Sequence, residues 1–255
     1  MEIINRRKEN FNKNFPFFLD YDILLLGGFD MKKIIRLIVV ILTLFLCCSC
    51  SNKTNKIDLL GIDFEKSGNE ISLEKYKTEN PLVAMDIEGY GAIVIELYPN
   101  MAENTVNNFI SLTKSGFYDN NTFHRLVPGF VLQGGDKGGT GSGGAGYSIK
   151  GEFKNNGYSK NTLKHVEKIV SMARSQDMDS AGSQFFIMLG KADYLDGDYA
   201  AFGKVIDGYD VIKEIEKEEI VSDSATGKLR SNLTIKKALV DTRGKEYKEV
   251  EKINS

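Results

Sequence analysis

The run Phe123-His124-Arg125-Leu126-Val127-Pro128-Gly129-Phe130-Val131-Leu132-Gln133-Gly134-Gly135-Asp136 holds the side chains best suited to chemistry. Arg125 carries a rigid guanidinium that stays protonated and offers several N–H donors. Such a group can stabilise an electron pair that becomes available during a reaction. Read alone, an arginine among aromatics is a salt-bridged surface residue, and Phe130 and Phe186 are core residues. His124 could carry protons near neutral pH, but it reads as a structural histidine with its ring nitrogens satisfied. His165 follows Asn161-Thr162-Leu163-Lys164 and reads as surface or loop. The stretch Gly138–Gly146 has the glycine content of a phosphate cradle. No Gly-Lys-Ser/Thr follows it and no helix opens after it, so it reads as a flexible loop. Asp177 and Asp179 are too few for a calcium loop and read as a turn. The two histidines lie far apart and no cysteine follows Cys50, which argues against a zinc site.

These residues need a scaffold. Leu82–Ile87 and Ala92–Leu97 alternate around Gly89-Tyr90-Gly91, which predicts a hairpin. A helix should follow, with Asn100 as its N-cap and Glu103 completing a capping box. Val106, Phe109, Ile110 and Phe117 recur at helical spacing, and Gly116 suits the helix end. Further strands are expected at Thr122–Leu126, Phe130–Gln133, Ile169–Ala173, Gln184–Leu189, Ala201–Val205 and Leu233–Asp241. A second helix is expected from Tyr209 to Glu216, with Val211, Ile212 and Ile215 inward and a solvated charged face over Lys213–Glu219. About eight short strands and two helices predict a mainly β fold. The expected form is a closed eight-stranded antiparallel barrel capped by two α-helices, because closure removes exposed sheet edges.

Three more segments combine with the first. They are Tyr147-Ser148-Ile149-Lys150-Gly151-Glu152-Phe153; Ser171-Met172-Ala173-Arg174 with Ser180-Ala181-Gly182-Ser183-Gln184-Phe185-Phe186-Ile187; and Tyr194-Leu195-Asp196-Gly197 with Tyr199-Ala200-Ala201-Phe202-Gly203-Lys204-Val205. In content and order the four resemble cyclophilin-type peptidyl-prolyl cis–trans isomerases, over about 160 residues from Leu82 to Asp241. The resemblance implies that the domain accelerates rotation of X–Pro bonds, with Arg125 and Gln133 as catalytic residues. It implies that Phe130, Val131, Phe186 and Leu195 seat the proline ring and that backbone groups of Ala173 and Arg174 pair with the peptide. Gln184 would line a neighbouring pocket, and Tyr194 and Tyr199 would complete the site. Val131 stands where many relatives have methionine, Tyr194 where many have tryptophan, and Tyr199 where many have histidine. The tryptophan replacement puts tight cyclosporin binding in doubt. No cofactor and no metal are implied.

Apolar residues make up 42% of the 255-residue chain and charged residues 27%, ordinary values for a globular protein. Residues 51–255 hold 26 basic and 30 acidic side chains with no basic track, which argues against nucleic acid as a partner. Lys32, Lys33 and Arg36 precede an apolar run, Leu37 to Leu46, and then Ser49-Cys50. That order resembles a bacterial lipoprotein signal peptide over residues 31–50, although Cys47 takes the usual branched-aliphatic position. It implies cleavage before Cys50, a lipid on its thiol and a membrane-held, extracytoplasmic protein. Residues 1–30 have no place in such a signal and read as a non-native upstream extension, with Met31 as the start. Residues 51–80 read as a tether with one docked turn, 81–242 as the isomerase domain and 243–255 as a polar C-terminal tail. The expected partners are proline-containing segments of unfolded or exported proteins and the membrane, with the chain acting as a monomer. The competing reading is a non-catalytic proline-peptide-binding lipoprotein or envelope scaffold.

Overall fold

The computed structural model describes residues 60–253. Strands Leu82–Ile87 (β1) and Gly91–Leu97 (β2) form the expected hairpin, with Ala84 opposite Val94 and Met85 opposite Ile93. The other strands are Asn121–Val127 (β3), Val131–Gly134 (β4), Ile169–Met172 (β5), Phe185–Met188 (β6), Ala201–Asp207 (β7), Val221–Asp223 (β8) and Lys228–Asp241 (β9). Eight of them run in the order β1-β2-β7-β5-β6-β4-β3-β9, and β1 pairs with β9 to close the ring. The fold is the closed eight-stranded antiparallel barrel expected from the sequence. β8 was not expected. It is a three-residue strand with a single apolar residue, too short to show alternation, and it folds back onto β9.

Two α-helices, Glu103–Lys114 (α1) and Tyr209–Glu218 (α2), contribute Val106, Phe109, Ile110, Ile212 and Ile215 to the barrel core. Val211, expected inward, is only half-buried. The start of α1 also differs from expectation. Its N-cap is Ala102, which offers no side-chain bond, and Asn100 lies outside the helix. The open N–H groups of Asn104 and Thr105 donate instead to the Glu152 carboxylate, at 3.0 and 2.7 Å. A distant carboxylate at the positive end of the helix replaces the local cap. The core centres on Phe109, whose ring lies 5.3 Å from Phe185 edge-on, 4.9 Å from Phe202 and 4.9 Å from Tyr118.

Strand alternation then sorts residues between faces. Leu132, Val170, Met172, Phe185 and Ile187 join the core. Their neighbours Val131, Ile169, Phe186 and Met188 point the other way and are nevertheless buried, in a second cluster with Ala192, Leu195 and Ala201. On β1, β2 and β9 the outward residues Leu82, Ala84, Val94 and Leu239 are covered by Ile62 and Leu73. Residues 60–80 are therefore more than a tether with one docked turn. Ile71 donates to the Val240 carbonyl at 3.0 Å, and the Leu73 N–H to Asp241 Oδ2 at 2.7 Å. The Arg243 guanidinium bonds the carbonyls of Leu73, Tyr76 and Thr78 and pairs with Asp241 at 2.7 Å.

Candidate active site

The outward cluster makes an apolar seat. Val131 and Phe186 form its floor with Leu195 buried beside them, and Phe130, Ala173 and Tyr199 pack against it partly buried. The Phe186 ring meets Tyr199 edge-on at 5.9 Å. At the rim, Tyr194 is 71% exposed and its ring stands 6.0 Å from that of Phe130. A short 3-10 turn, Asp193–Leu195, sends Tyr194 outward and Leu195 inward.

Arg125 reaches the same face because β3 is irregular. Phe123 pairs with Gly134 and Arg125 with Gln133, so His124 is an extra residue in the ladder. Such a bulge re-aims the side chains that follow it. The half-buried guanidinium is held twice. Its Nε donates to the Thr226 carbonyl at 2.7 Å and its Nη1 to Gln133 Oε1 at 3.2 Å. Partial burial lowers its pKa from the ordinary arginine value, while Tyr194 and Tyr199 act in the opposite direction. Gln133 passes the chain on, donating to Gln184 Oε1 at 3.1 Å. Gln184 in turn donates to the carbonyls of Gly141 and Gly143 at 2.9 and 2.8 Å. Arg125, Gln133 and Gln184 thus form one hydrogen-bonded row beside the seat.

The glycine-rich loop after β4 is neither a phosphate cradle nor free of internal bonds. It wraps the carboxylate of Asp136, whose Oδ2 accepts from the N–H groups of Thr140, Gly141 and Gly143 and whose Oδ1 accepts from Gly138. Burial raises the Asp136 pKa, but those bonds outweigh it and bring the pKa down to about 2. The anion that this nest holds is the chain's own. Asp177 and Asp179 form a turn, with Asp179 N–H donating to Asp177 Oδ1 at 2.9 Å.

Three expectations need correction. His165 is not on the surface; it is 1% exposed. Its Nδ1 lies 3.0 Å from Asp196 Oδ1, its Nε2 lies 3.1 Å from Ser171 Oγ, and its ring stacks 6.1 Å from Phe186. It ties the floor of the seat to the turn that carries Tyr194 and Leu195. No local pattern announces this, since the two partners are 31 and 6 residues away. His124 is buried, but neither ring nitrogen has a protein partner among the described residues. The backbone pairing expected at Ala173 is narrowed, because its N–H already donates to the Gln184 carbonyl at 2.9 Å. Arg174 turns its side chain over the Tyr199 ring, 4.6 Å from the centroid, and donates from Nε to the Asp198 carbonyl. Cys50 lies outside the described residues.

Residues 82–240 match the family model for cyclophilin type peptidyl-prolyl cis-trans isomerases. Peptidyl-prolyl cis-trans isomerase B of Bacillus subtilis is 42% identical over 137 residues, which is 54% of this chain and 92% of that protein. A Helicobacter pylori peptidyl-prolyl cis-trans isomerase is 40% identical over 133 residues, 51% of this chain and 78% of that one. Other relatives are much longer: the isomerase-like 2 protein of Cryptococcus neoformans is 38% identical over 149 residues, only 26% of its length. Among solved structures, a Cryptosporidium parvum cyclophilin type isomerase crystallised in the presence of the dipeptide Ala-Pro superposes with a TM-score of 0.55 at 33% identity. It covers 62% of this chain and 98% of that one. The motifs, the closed barrel and these likenesses agree, and the chain belongs to the cyclophilin-type peptidyl-prolyl cis–trans isomerase family.

Proposed function

We propose that the chain is a lipid-anchored, monomeric foldase that turns X–Pro bonds in exported proteins, with Arg125 as the group acting on the amide. The row of Arg125 and Gln133 beside an apolar seat carries the catalytic half of this reading. Rotation about a peptide bond costs about 18–20 kcal/mol because the nitrogen lone pair is conjugated with the carbonyl. In the twisted state the lone pair is free to accept a hydrogen bond. A guanidinium aimed at that nitrogen favours the twisted state over both planar isomers, which is differential transition-state binding. Thr226 and Gln133 use Nε and one Nη1 position, leaving further N–H groups for the substrate. Val131, Phe186 and Leu195 would hold the proline ring while Phe130, Tyr194 and Tyr199 flank it. The peptide would run along Ala173, Arg174 and Gln184.

The anchoring half is supported by the basic start, apolar run and Ser49-Cys50 of residues 31–50. Uncatalysed X–Pro isomerisation takes tens of seconds or more and limits folding. An enzyme held outside the cytoplasm would meet newly exported chains while they are still unfolded. The test is metabolic labelling of the full chain with a fatty-acid analogue in a bacterial host, followed by membrane fractionation. Label and membrane association should both disappear in Cys50→Ser. Label that survives the substitution, or a wild-type chain found in the cytosol, would sink the anchoring reading and leave the isomerase assignment intact.

A further inference from the structure

A second groove of about 960 Å³ adjoins the candidate active site and shares Gln133 and Gln184 with it. Its lining also includes Ile253 and Tyr147. Ile253 comes from the C-terminal tail, beyond residue 240 where the family match ends. The tail is fastened to the domain at several points. Lys248 pairs with Glu103 at 2.6 Å. The backbone of Glu251 exchanges two hydrogen bonds with the Asn104 side chain, both 2.9 Å. Lys252 lies over the Tyr147 ring at 4.4 Å. Ile253 then exchanges two backbone bonds with Ser148, at 3.1 and 2.8 Å. The next residue, Ile149, bridges to Ala181, three positions before Gln184. The tail therefore extends a short ladder that leads into the candidate site.

We infer that this tail sets substrate selectivity, with Ile253 as an apolar wall for a substrate side chain that flanks the X–Pro pair. The inference rests on the isomerase reading and not on the membrane anchor. Ile253 keeps 40% of its surface exposed although its backbone is fixed. An ordered, exposed apolar side chain in a groove gains by burial against an apolar ligand group. The acidic groups of the groove are engaged locally. Asp177 accepts from the Asp179 N–H, and Asp179 accepts from the Gly151 N–H and Asn156 Nδ2. A peptide seated by its proline and running past Gln133 and Gln184 would bring a leucine-like side chain onto Ile253.

The experiment uses the full chain. Proline peptides carry leucine or glycine two positions from the proline, on either side in turn. The readout is the leucine-to-glycine ratio of kcat/KM, with the same ratio of affinities from NMR titration as a reading independent of turnover. Wild type should prefer leucine on one side. Ile253→Ala should lower that ratio about fivefold, a partial-contact value below that of an enclosed pocket. Asn104→Ala removes the clip on Glu251 without touching the groove and should lower the ratio in the same direction. A wild type without preference, or a ratio within about twofold of wild type in both folded variants, overturns the proposal.

Discussion

At the scale of single residues, the candidate site separates a polar row from an apolar seat. Arg125 is the test of the chemistry, because the proposed mechanism rests on its guanidinium as the donor to the amide nitrogen. Arg125→Ala should cost roughly a hundredfold in kcat/KM, the usual order for losing one preorganised donor. Its half-exposed side chain packs little of the core, so the unfolding midpoint should hardly move. Arg125→Lys should recover little, because a lysine ammonium cannot span Thr226 and Gln133 with a planar fork. NMR exchange on an Ala-Pro peptide measures all three proteins. Activity retained in Arg125→Ala would move the chain toward the binding-module reading. Much of this site was legible in the sequence because its residues sit in unbroken motifs. The exceptions are residues whose role depends on partners far along the chain. His165 reads as a loop residue, yet Asp196 and Ser171 bury it behind Phe186. His124 reads as satisfied, yet the β3 bulge buries it with no hydrogen-bond partner for either ring nitrogen among the described residues.

At the scale of elements, strand alternation accounts for what was legible and tertiary contacts for what was not. The period of two in β4, β5 and β6 announces strands, and it also divides Phe185 from Phe186 and Leu132 from Val131. The start of α1 is not legible locally, because Glu152, distant in sequence, caps it. β8 and the first residues of β9 show no pattern in the sequence, yet the Thr226 carbonyl between them holds Arg125. That makes Gly227 a sensitive position. It sits at φ +75°, and a Cβ there would meet Val127 Cγ2 at 2.6 Å and the Leu126 carbonyl at 2.8 Å. Gly227→Ala should destabilise the domain by about 2 kcal/mol or more, from left-handed strain and the clash together. It should also lower kcat/KM several-fold by shifting Thr226 away from Arg125. Urea unfolding and the exchange assay read the two effects separately. Full activity in the folded variant would show that the hairpin does not position the guanidinium.

At the scale of the whole molecule, closure of the barrel leaves an apolar outer face on β1, β2 and β9, and residues 60–80 cover it. The polar composition of that stretch suggested a tether; Ile62 and Leu73 are spaced too widely to show a period. The same closure buries both of the chain's histidines. Burial lowers the pKa of each. His124 faces Asp136, which opposes the shift, and Arg125, which adds to it; His165 faces Asp196 and Lys164 in the same opposed way. An unfolded histidine titrates near about 6.5. As pH falls through that value the unfolded chain gains protons that the folded chain refuses, so stability declines. The decline should begin below neutrality and continue until the folded histidines themselves protonate. The buried nest around Asp136 belongs to a lower window: its stabilisation is complete above the ordinary aspartate value and is lost as pH falls toward about 2. Urea midpoints between pH 8 and pH 5 should therefore fall on acidification, and His124→Gln and His165→Gln should each flatten the slope. A midpoint that stays level over that range would mean that the folded histidines take up protons as readily as unfolded ones, and that burial of these rings is offset by their carboxylate neighbours.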